Sequence, residues 1–420
     1  ISIPIFLIGS DGKEEQLNSG QALWTRSPAA ITDEEHKTFY NSQFSAFDDP
    51  FLKLHNKSEG ALEFISLLYL PSVAPFDLFD PERKTKLNLY INRIFITNDL
   101  ETILPKWLRF VRGILDTPSL QLNVSRELLQ ASPVLGKIKK NLVKRILAEL
   151  KKKLKKDPKK YDEFWAQFGK VLKEGLYEDT EYRASIAELT RVFSLNKDSL
   201  ITLEDYLSNL VEGQSEIYYL AADSLQQAKV SPHLEGFKQK GLDVILCDDP
   251  IDAFWMSQML NYKDKPFKSI ARDKLDLSGI KEDKQKKDEK EKKQDASIAS
   301  KAIAILKAAL NEKVENIIES NNLVSSPARL VAGEAGLDYN LERLLKAQNP
   351  DYQNTTKVLE INTRHEIIKN LVKTTDENLR VAASLMLFEQ ARILDGEIPS
   401  DSAHFINELN MLVATALGPK

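Results

Sequence analysis

The chain has 420 residues, 29% charged and 42% hydrophobic, which is length and composition for two or three globular domains with real cores. A formal net charge of −4 argues against a surface built for nucleic acid in general, and a single cysteine, Cys247, excludes an intramolecular disulfide and fits a reducing compartment. No apolar run approaches the length of a membrane span and no signal-peptide pattern opens the chain, so no membrane partner is expected.

Residues 1 to about 115 mix strand and helix patterns, beginning with the strand-like ISIPIFLI at Ile1. Leu62–Leu70 and Leu89–Ile96 are rich in Ile, Leu and aromatic residues, as sheet strands are, with Arg93 inside the second pattern as a structural ion-pair residue. The spacing of Leu100, Ile103, Leu104, Trp107, Leu108, Val111 and Leu115 predicts an amphipathic helix over Asp99–Leu115. Ser119–Gln130 follows, reading SLQLNVSRELLQ. Asn123 and Ser125 are good helix N-caps, because their side-chain oxygens can accept from unpaired backbone N–H groups. Glu127 suits the positive end of a helix dipole, but Arg126 does not; a cation there costs roughly a few tenths of a kcal/mol. A helix N-terminus beside a guanidinium is a candidate anion site, with phosphate the natural anion. Pairing of Arg126 with a surface carboxylate is the plainer alternative. Gln130 lies four residues on, sharing a helix face with Arg126.

Pro133 to about Lys155 predicts a long basic helix with Ile138, Leu142, Val143, Ile146, Leu147, Leu150 and Leu154 as its buried stripe. No aromatic residues interleave with its lysines for base stacking, so they read as a solvated face. Helical patterns recur near 160–175, 180–193 and 201–211. A smaller α/β unit spans roughly 214 to 272, where Ile217–Ala221 and Val244–Cys247 are short strands in βαβ order. Cys247 ends one of them as a small buried hydrophobe. Lys281–Asp295 contains no hydrophobic residue and reads as a charged spacer, helical or not. The last part begins with a helix near Ile298–Glu319. Strands at Ala328–Val331 and Val358–Ile361 flank Leu337–Gln348, and two helices close the chain. On these, Leu385, Met386, Leu394, Phe405, Leu409 and Leu412 form apolar faces broad for a small domain. Two such hairpins would make a four-helix bundle joining a homodimer; an intrachain core is the alternative.

The five histidines, 36, 55, 233, 365 and 404, lack ligand spacing, so no metal site is expected. His365 follows a strand end and predicts a cap on the next helix. Candidates for an exposed apolar partner surface are Trp24, Phe254, Trp255, Tyr339, Leu341, Leu344 and Leu345, each with core burial as its alternative.

NVSRELLQ at Asn123–Gln130 resembles the catalytic-loop motif in the middle domain of the heat-shock protein 90 chaperone family. Other blocks arrive in that family's order: QALWTR at Gln21–Arg26, APFDLF at Ala74–Phe79, YINRIFI at Tyr90–Ile96 and LPKWLRFVRG at Leu104–Gly113. They continue with LYEDTEYR at Leu176–Arg183, DPID at Asp249–Asp252 and LEINTRH at Leu359–His365. The departures are Thr363, where the family usually has Pro, and leucines where relatives carry methionines in the C-terminal amphipathic segment.

The resemblance implies a multidomain α+β and α/β fold. Residues 1–130 would form an α-β-α sandwich, 131–213 a helical connector, 214–275 a smaller α/β unit, 276–297 a charged linker and 298–420 a dimerisation domain ending in a helical hairpin. It also implies an ATP-dependent chaperone that binds unfolded or partly folded client proteins, with possible co-chaperones. Arg126 would reach the γ-phosphate of ATP, held with Mg by an N-terminal domain absent from this sequence, while Gln130 supports the closed site and Asn123 shapes the loop. The chain alone would then be inactive. The ending ATALGPK and the EINTRH wording look like the bacterial cytoplasmic form, with the mitochondrial matrix form as alternative. A non-enzymatic homodimeric scaffold is the rival from another class, and a nucleic-acid binder using Lys139–Lys160 a second.

Overall fold

The computed structural model describes residues 5–10, 12–16, 21–60, 62–80, 86–98, 103–120, 132–259, 261–272, 277, 280, 289–333, 342, 345–346, 349, 352, 355–399 and 401–418. They form a mixed α/β structure that packs as two compact units, Ile1–Thr190 and Arg191–Lys420.

The first unit opens with a small exposed hairpin, β1 (Phe6–Ile8) and β2 (Glu14–Gln16). Its main sheet has five strands: β3 (Leu52–Ser58), β4 (Phe64–Leu70), β5 (Lys86–Ile91), β6 (Ile94–Thr97) and β7 (Arg112–Asp116), in the order β3-β4-β7-β5-β6. Among the described residues of this sheet, only the β5–β7 pair is parallel. Leu67 and Tyr69 share one face of β4, and Leu68 and Leu70 the other; all four are buried, so both faces are covered. On the first face lies the helix Asp33–Phe44, whose Tyr40 and Phe44 pack with Trp24, Leu67, Tyr69 and Ile114. A capping box starts it: Thr32 accepts from the Glu35 N–H, and the Glu35 carboxylate accepts from the Thr32 N–H. The helices Pro133–Lys156 and Pro158–Glu178 pack together, sharing Asp157 as C-cap of the first and N-cap of the second. Phe164 stacks on Phe51 at 4.5 Å, and Phe168 lies 4.7 Å from Phe110.

Two expectations change here. The helix predicted over Asp99–Leu115 is instead a 3-10 turn at Lys106–Leu108 followed by the strand β7. β7 is central and buried along its whole length, so its apolar run satisfies a helical period by accident. Gly113 fits this position because an added Cβ would lie 2.4 Å from the Leu67 carbonyl oxygen on the paired strand. Likewise, Leu89–Ile96 is not one strand. Asn92 and Arg93 both take positive φ, 51° and 68°, and make the two-residue turn between β5 and β6. Among the described residues, Arg93 forms no side-chain ion pair; its backbone N–H donates to Asp116.

The second unit holds a six-stranded sheet: β8 (Arg191–Ser194), β9 (Ser199–Thr202), β10 (Ile217–Ala221), β11 (Ile245–Cys247), β12 (Asn261–Tyr262) and β13 (Lys265–Ser269), ordered β12-β13-β10-β11-β8-β9. The parallel β10–β11 pair is the βαβ-like core anticipated above. The helix expected near 180–193 shortens to Arg183–Ala187, because the next residues enter β8, which pairs with β11 and β9. Then comes a three-stranded sheet of β14 (Asn316–Glu319), β15 (Ala328–Ala332) and β16 (Lys357–Ile361), in the order β14-β16-β15. The helices Glu289–Leu310, Glu366–Lys373 and Glu377–Leu394 cover it through Ala302, Leu306, Leu359, Ile361, Ile368 and Leu387. The helix expected through Glu319 therefore ends at Leu310, and β14 takes its tail because Ile317 is needed in the sheet core. His365 caps the helix Glu366–Lys373 through Nδ1, which accepts from the Ile367 N–H at 3.2 Å. The last helix is Ser402–Leu417. Among the described residues, no helix is long and apolar enough to cross a membrane.

Candidate functional site

Asn123, Ser125, Arg126 and Gln130 lie outside the described residues, but both flanks of that segment are built firmly. β7 ends at Asp116, whose carboxylate accepts from the buried indole of Trp24 at 2.9 Å and from the Arg93 N–H at 3.2 Å. Thr117 then donates its hydroxyl to the Glu63 carbonyl at 2.6 Å, and its N–H to the Tyr90 carbonyl at 3.1 Å. Ser119 donates its N–H to Thr117 Oγ1 at 3.1 Å, and Leu120 is buried. On the far side, Ser132 and Pro133 start the long helix, with Pro at a position where its missing N–H leaves nothing unpaired. The segment 121–131 thus joins a central strand to a helix N-terminus.

Trp24 serves this framework from inside: it packs against Phe39 and Tyr90 and is not on the surface. Arg26, two residues on, pairs with Glu35 at 2.7 Å. That hydrogen bond, with the Thr32 N–H, holds the Glu35 carboxyl down to about 2. The QALWTR block therefore ties the first helix to the end of β7.

A second feature of the first unit escaped the sequence reading. Phe47 and Phe76 are fully exposed, and Val73 and Phe79 more than half exposed. Asp48, next to Phe47, accepts from the Ser72 N–H at 2.7 Å, the Ser72 hydroxyl at 3.1 Å and the Val73 N–H at 3.2 Å. At the other end, Arg109 pairs with Glu174, donates Nε to the Leu78 carbonyl at 2.8 Å and sits 5.7 Å from the Phe79 ring. The loop 71–80 is thus held at both ends while Val73, Phe76 and Phe79 face water, and Asp48 ties the neighbour of Phe47 to its start. Exposed apolar groups on a fixed loop make it a candidate partner surface. The only sequence signal was the density of Phe beside Pro and Asp, which reads equally as a turn.

The other candidates fall as follows. Trp255 is fully buried, donating to Asp252 at 2.6 Å and packing edge-on to Phe267, so its indole is unavailable to a partner in this structure. Phe254 and Leu345 are half-buried; Tyr339, Leu341 and Leu344 lie outside the described residues. Of the apolar residues on the closing helices, Met386 is buried within the chain, Leu385, Phe405, Leu409 and Leu412 are half-buried, and Leu394 is exposed. The helix Ser402–Leu417 has no fully buried residue, and Ile406, Val413 and Leu417 stand exposed beside the expected ones, as does Ile398 just before it. Cys247 is buried at the end of β11, 3.8 Å from the Met256 sulfur. Among the described residues no group of three His, Cys, Asp or Glu could hold a metal ion.

Comparison with known proteins gives one consistent result. The family model described as Hsp90 protein matches residues 10–420. The chain is 47% identical over 414 residues to the chaperone protein HtpG of Paramagnetospirillum magneticum, covering 97% of this chain and 66% of that protein. It is 44% identical to the HtpG of Roseobacter denitrificans, covering 99% of this chain and 67% of the relative. Against the HtpG of Wolbachia pipientis wMel the identity is 41%, over 98% of this chain and 66% of the relative. The chain thus spans about two thirds of the length of these relatives.

Proposed function

Because the chain belongs to the Hsp90 family, we propose that the intact protein is an ATP-dependent molecular chaperone to which this chain contributes three parts. The first is the 121–131 segment, in which Arg126 stabilises charge on the transferring phosphoryl group while Gln130 and Asn123 keep the loop in its closed form. ATP and Mg would be held mainly by residues outside this chain. The second is the Phe47–Phe79 surface, which would engage apolar segments of unfolded or partly folded clients. The third is the pair of closing helices, which would join two copies. Bacterial relatives favour a bacterial cytoplasmic setting.

The observation that carries this reading is the family match over nearly the whole chain. The test uses the intact protein and compares ATP turnover and ATP affinity for wild type and Arg126→Ala. Turnover should fall roughly a hundredfold or more with affinity nearly kept, as for a group that acts on the transition state. Unchanged turnover would reduce Arg126 to a surface cation, and an intact protein without ATPase activity would favour the dimeric scaffold.

A further inference from the structure

Within the second unit, the first turn of the helix Glu235–Lys240 faces the turn that leads into β15. The Glu235 carboxylate gathers that turn. Oε2 accepts from the backbone N–H groups of Val324 at 2.6 Å and Ser325 at 2.8 Å, and Oε1 from that of Ser326 at 3.0 Å. Oε1 also accepts from the hydroxyls of Ser325, at 2.9 Å, and Ser326, at 2.6 Å. Three consecutive N–H groups and two hydroxyls converging on one anion form a nest of the kind that binds free carboxylates and phosphates. Burial raises the carboxyl's pKa, but the Ser326 hydroxyl and the Val324 and Ser325 N–H groups outweigh it, and the net shift is downward.

Other polar contacts cross the same seam among the described residues. Gln227 reaches the Leu394 carbonyl at 3.4 Å, His233 Nε2 lies 3.3 Å from Asp395, and Ala332 donates one backbone bond to Ala271 at 3.0 Å. Gly236 lets the helix come close: a Cβ there would meet Asn322 backbone and side-chain atoms at 3.0 to 3.3 Å. Val324 and Ser325 are exposed, so this polar contact sits at the solvent edge of the seam, where water and competing anions reach it.

We propose that Val324–Ser326 is a carboxylate receptor and Glu235 its built-in ligand, the two forming a releasable latch that keeps the three-stranded sheet docked on the six-stranded one. An acidic side chain of a bound polypeptide has the chemistry to replace Glu235. Undocking would then be driven by exchange of one carboxylate for another.

The test is hydrogen exchange on the chain and on its Glu235→Ala variant, reading the Val324, Ser325 and Ser326 amides against the core amides of Leu330 and Leu359. The three amides should exchange about tenfold faster or more in the variant, with the core amides unchanged. Sodium acetate should restore their protection, where sodium chloride at equal ionic strength does not. Unchanged exchange in a variant with an intact core overturns the latch, and faster exchange that acetate leaves untouched overturns the receptor. If Glu235→Ala loses its core protection, Ser325→Ala with Ser326→Ala removes two donors and keeps the carboxylate. Faster exchange of the same amides then supports the latch, and no change sinks it.

Discussion

Trp24 and Asp116, 92 residues apart in sequence, share a buried hydrogen bond of 2.9 Å from the indole to the carboxylate. It fixes the end of β7, just before the segment that carries Arg126. Trp24→Phe would keep most of the ring packing but leave one carboxylate oxygen without its donor. The expected loss is about 1–3 kcal/mol of unfolding free energy. Urea denaturation followed by circular dichroism measures it; a loss below the error of the fit would mean that water replaces the indole at no cost.

Gly113 offers a harsher test of the same strand. An alanine Cβ would sit 2.4 Å from the Leu67 carbonyl oxygen and 2.9 Å from the Leu68 Cα, both backbone atoms that cannot turn aside. Gly113→Ala should therefore destabilise the first unit by about 1–3 kcal/mol or more, as overpacking does. Gly136, with open space around its missing Cβ, supplies the control: Gly136→Ala should be neutral or slightly stabilising in a helix.

Acid should weaken the second unit through Glu235 and Glu397. Burial raises both, but the hydrogen bonds to Glu235 from the 324–326 turn, and the Lys357 and Arg392 charges beside Glu397, leave each below its ordinary value. A depressed folded pKa means that the unfolded state binds the proton first. The stabilisation is thus complete above the ordinary glutamate value of about 4.3 and is lost as pH falls through the folded value. The stability gap between wild type and Glu235→Gln should stay constant near neutrality and close below about pH 4. A gap that widened on acidification would reverse the sign of the linkage.

A charge on the last helix should separate copies of the proposed dimer without unfolding the rest of either. Ile406 is about half exposed, and no residue of Ser402–Leu417 is buried within the chain. Ile406→Glu should shift sedimentation from dimer toward monomer, with at most the helical signal of the last helix lost from the far-ultraviolet spectrum. A wild-type monomer at micromolar concentration would remove the premise.

Phe76 contributes nothing to the core, being fully exposed. Phe76→Ser should leave the unfolding free energy within about 0.5 kcal/mol while reducing suppression of client aggregation by the intact protein. Equal suppression by both would move client contact off this surface.

Sequence pattern revealed the elements whose period is unambiguous. Pro133–Lys156 keeps an apolar stripe through six turns, and β10, β15 and β16 are short β-rich runs bounded by polar residues. It misjudged β7, because a strand buried on both sides carries no alternation and looks like a buried helix, and β14, because a four-residue edge strand is too short to interrupt the helical pattern that runs into it. Asn92–Arg93 was misread because Arg rarely takes the left-handed region, and only the paired strands reveal the turn. Of the site, the Arg126 segment lies outside the described residues, and its proposed role rests on its motif alone. Phe47 and Phe76 were not legible in the sequence, since burial depends on neighbours distant in sequence, and the Glu235 nest joins residues about ninety positions apart.

The last helix has a consequence for how the protein responds to its own abundance. A sixteen-residue helix is marginal in water by itself, and this one gains no fully buried side chain from its own chain. In the proposed dimer, part of its order would come from a second copy, and mass action would decide how often that copy is present. Dilution would fray the C-terminus before it melts anything else, and synthesis of more protein would mend it. On that proposal the helix would make the chain a gauge of its own concentration.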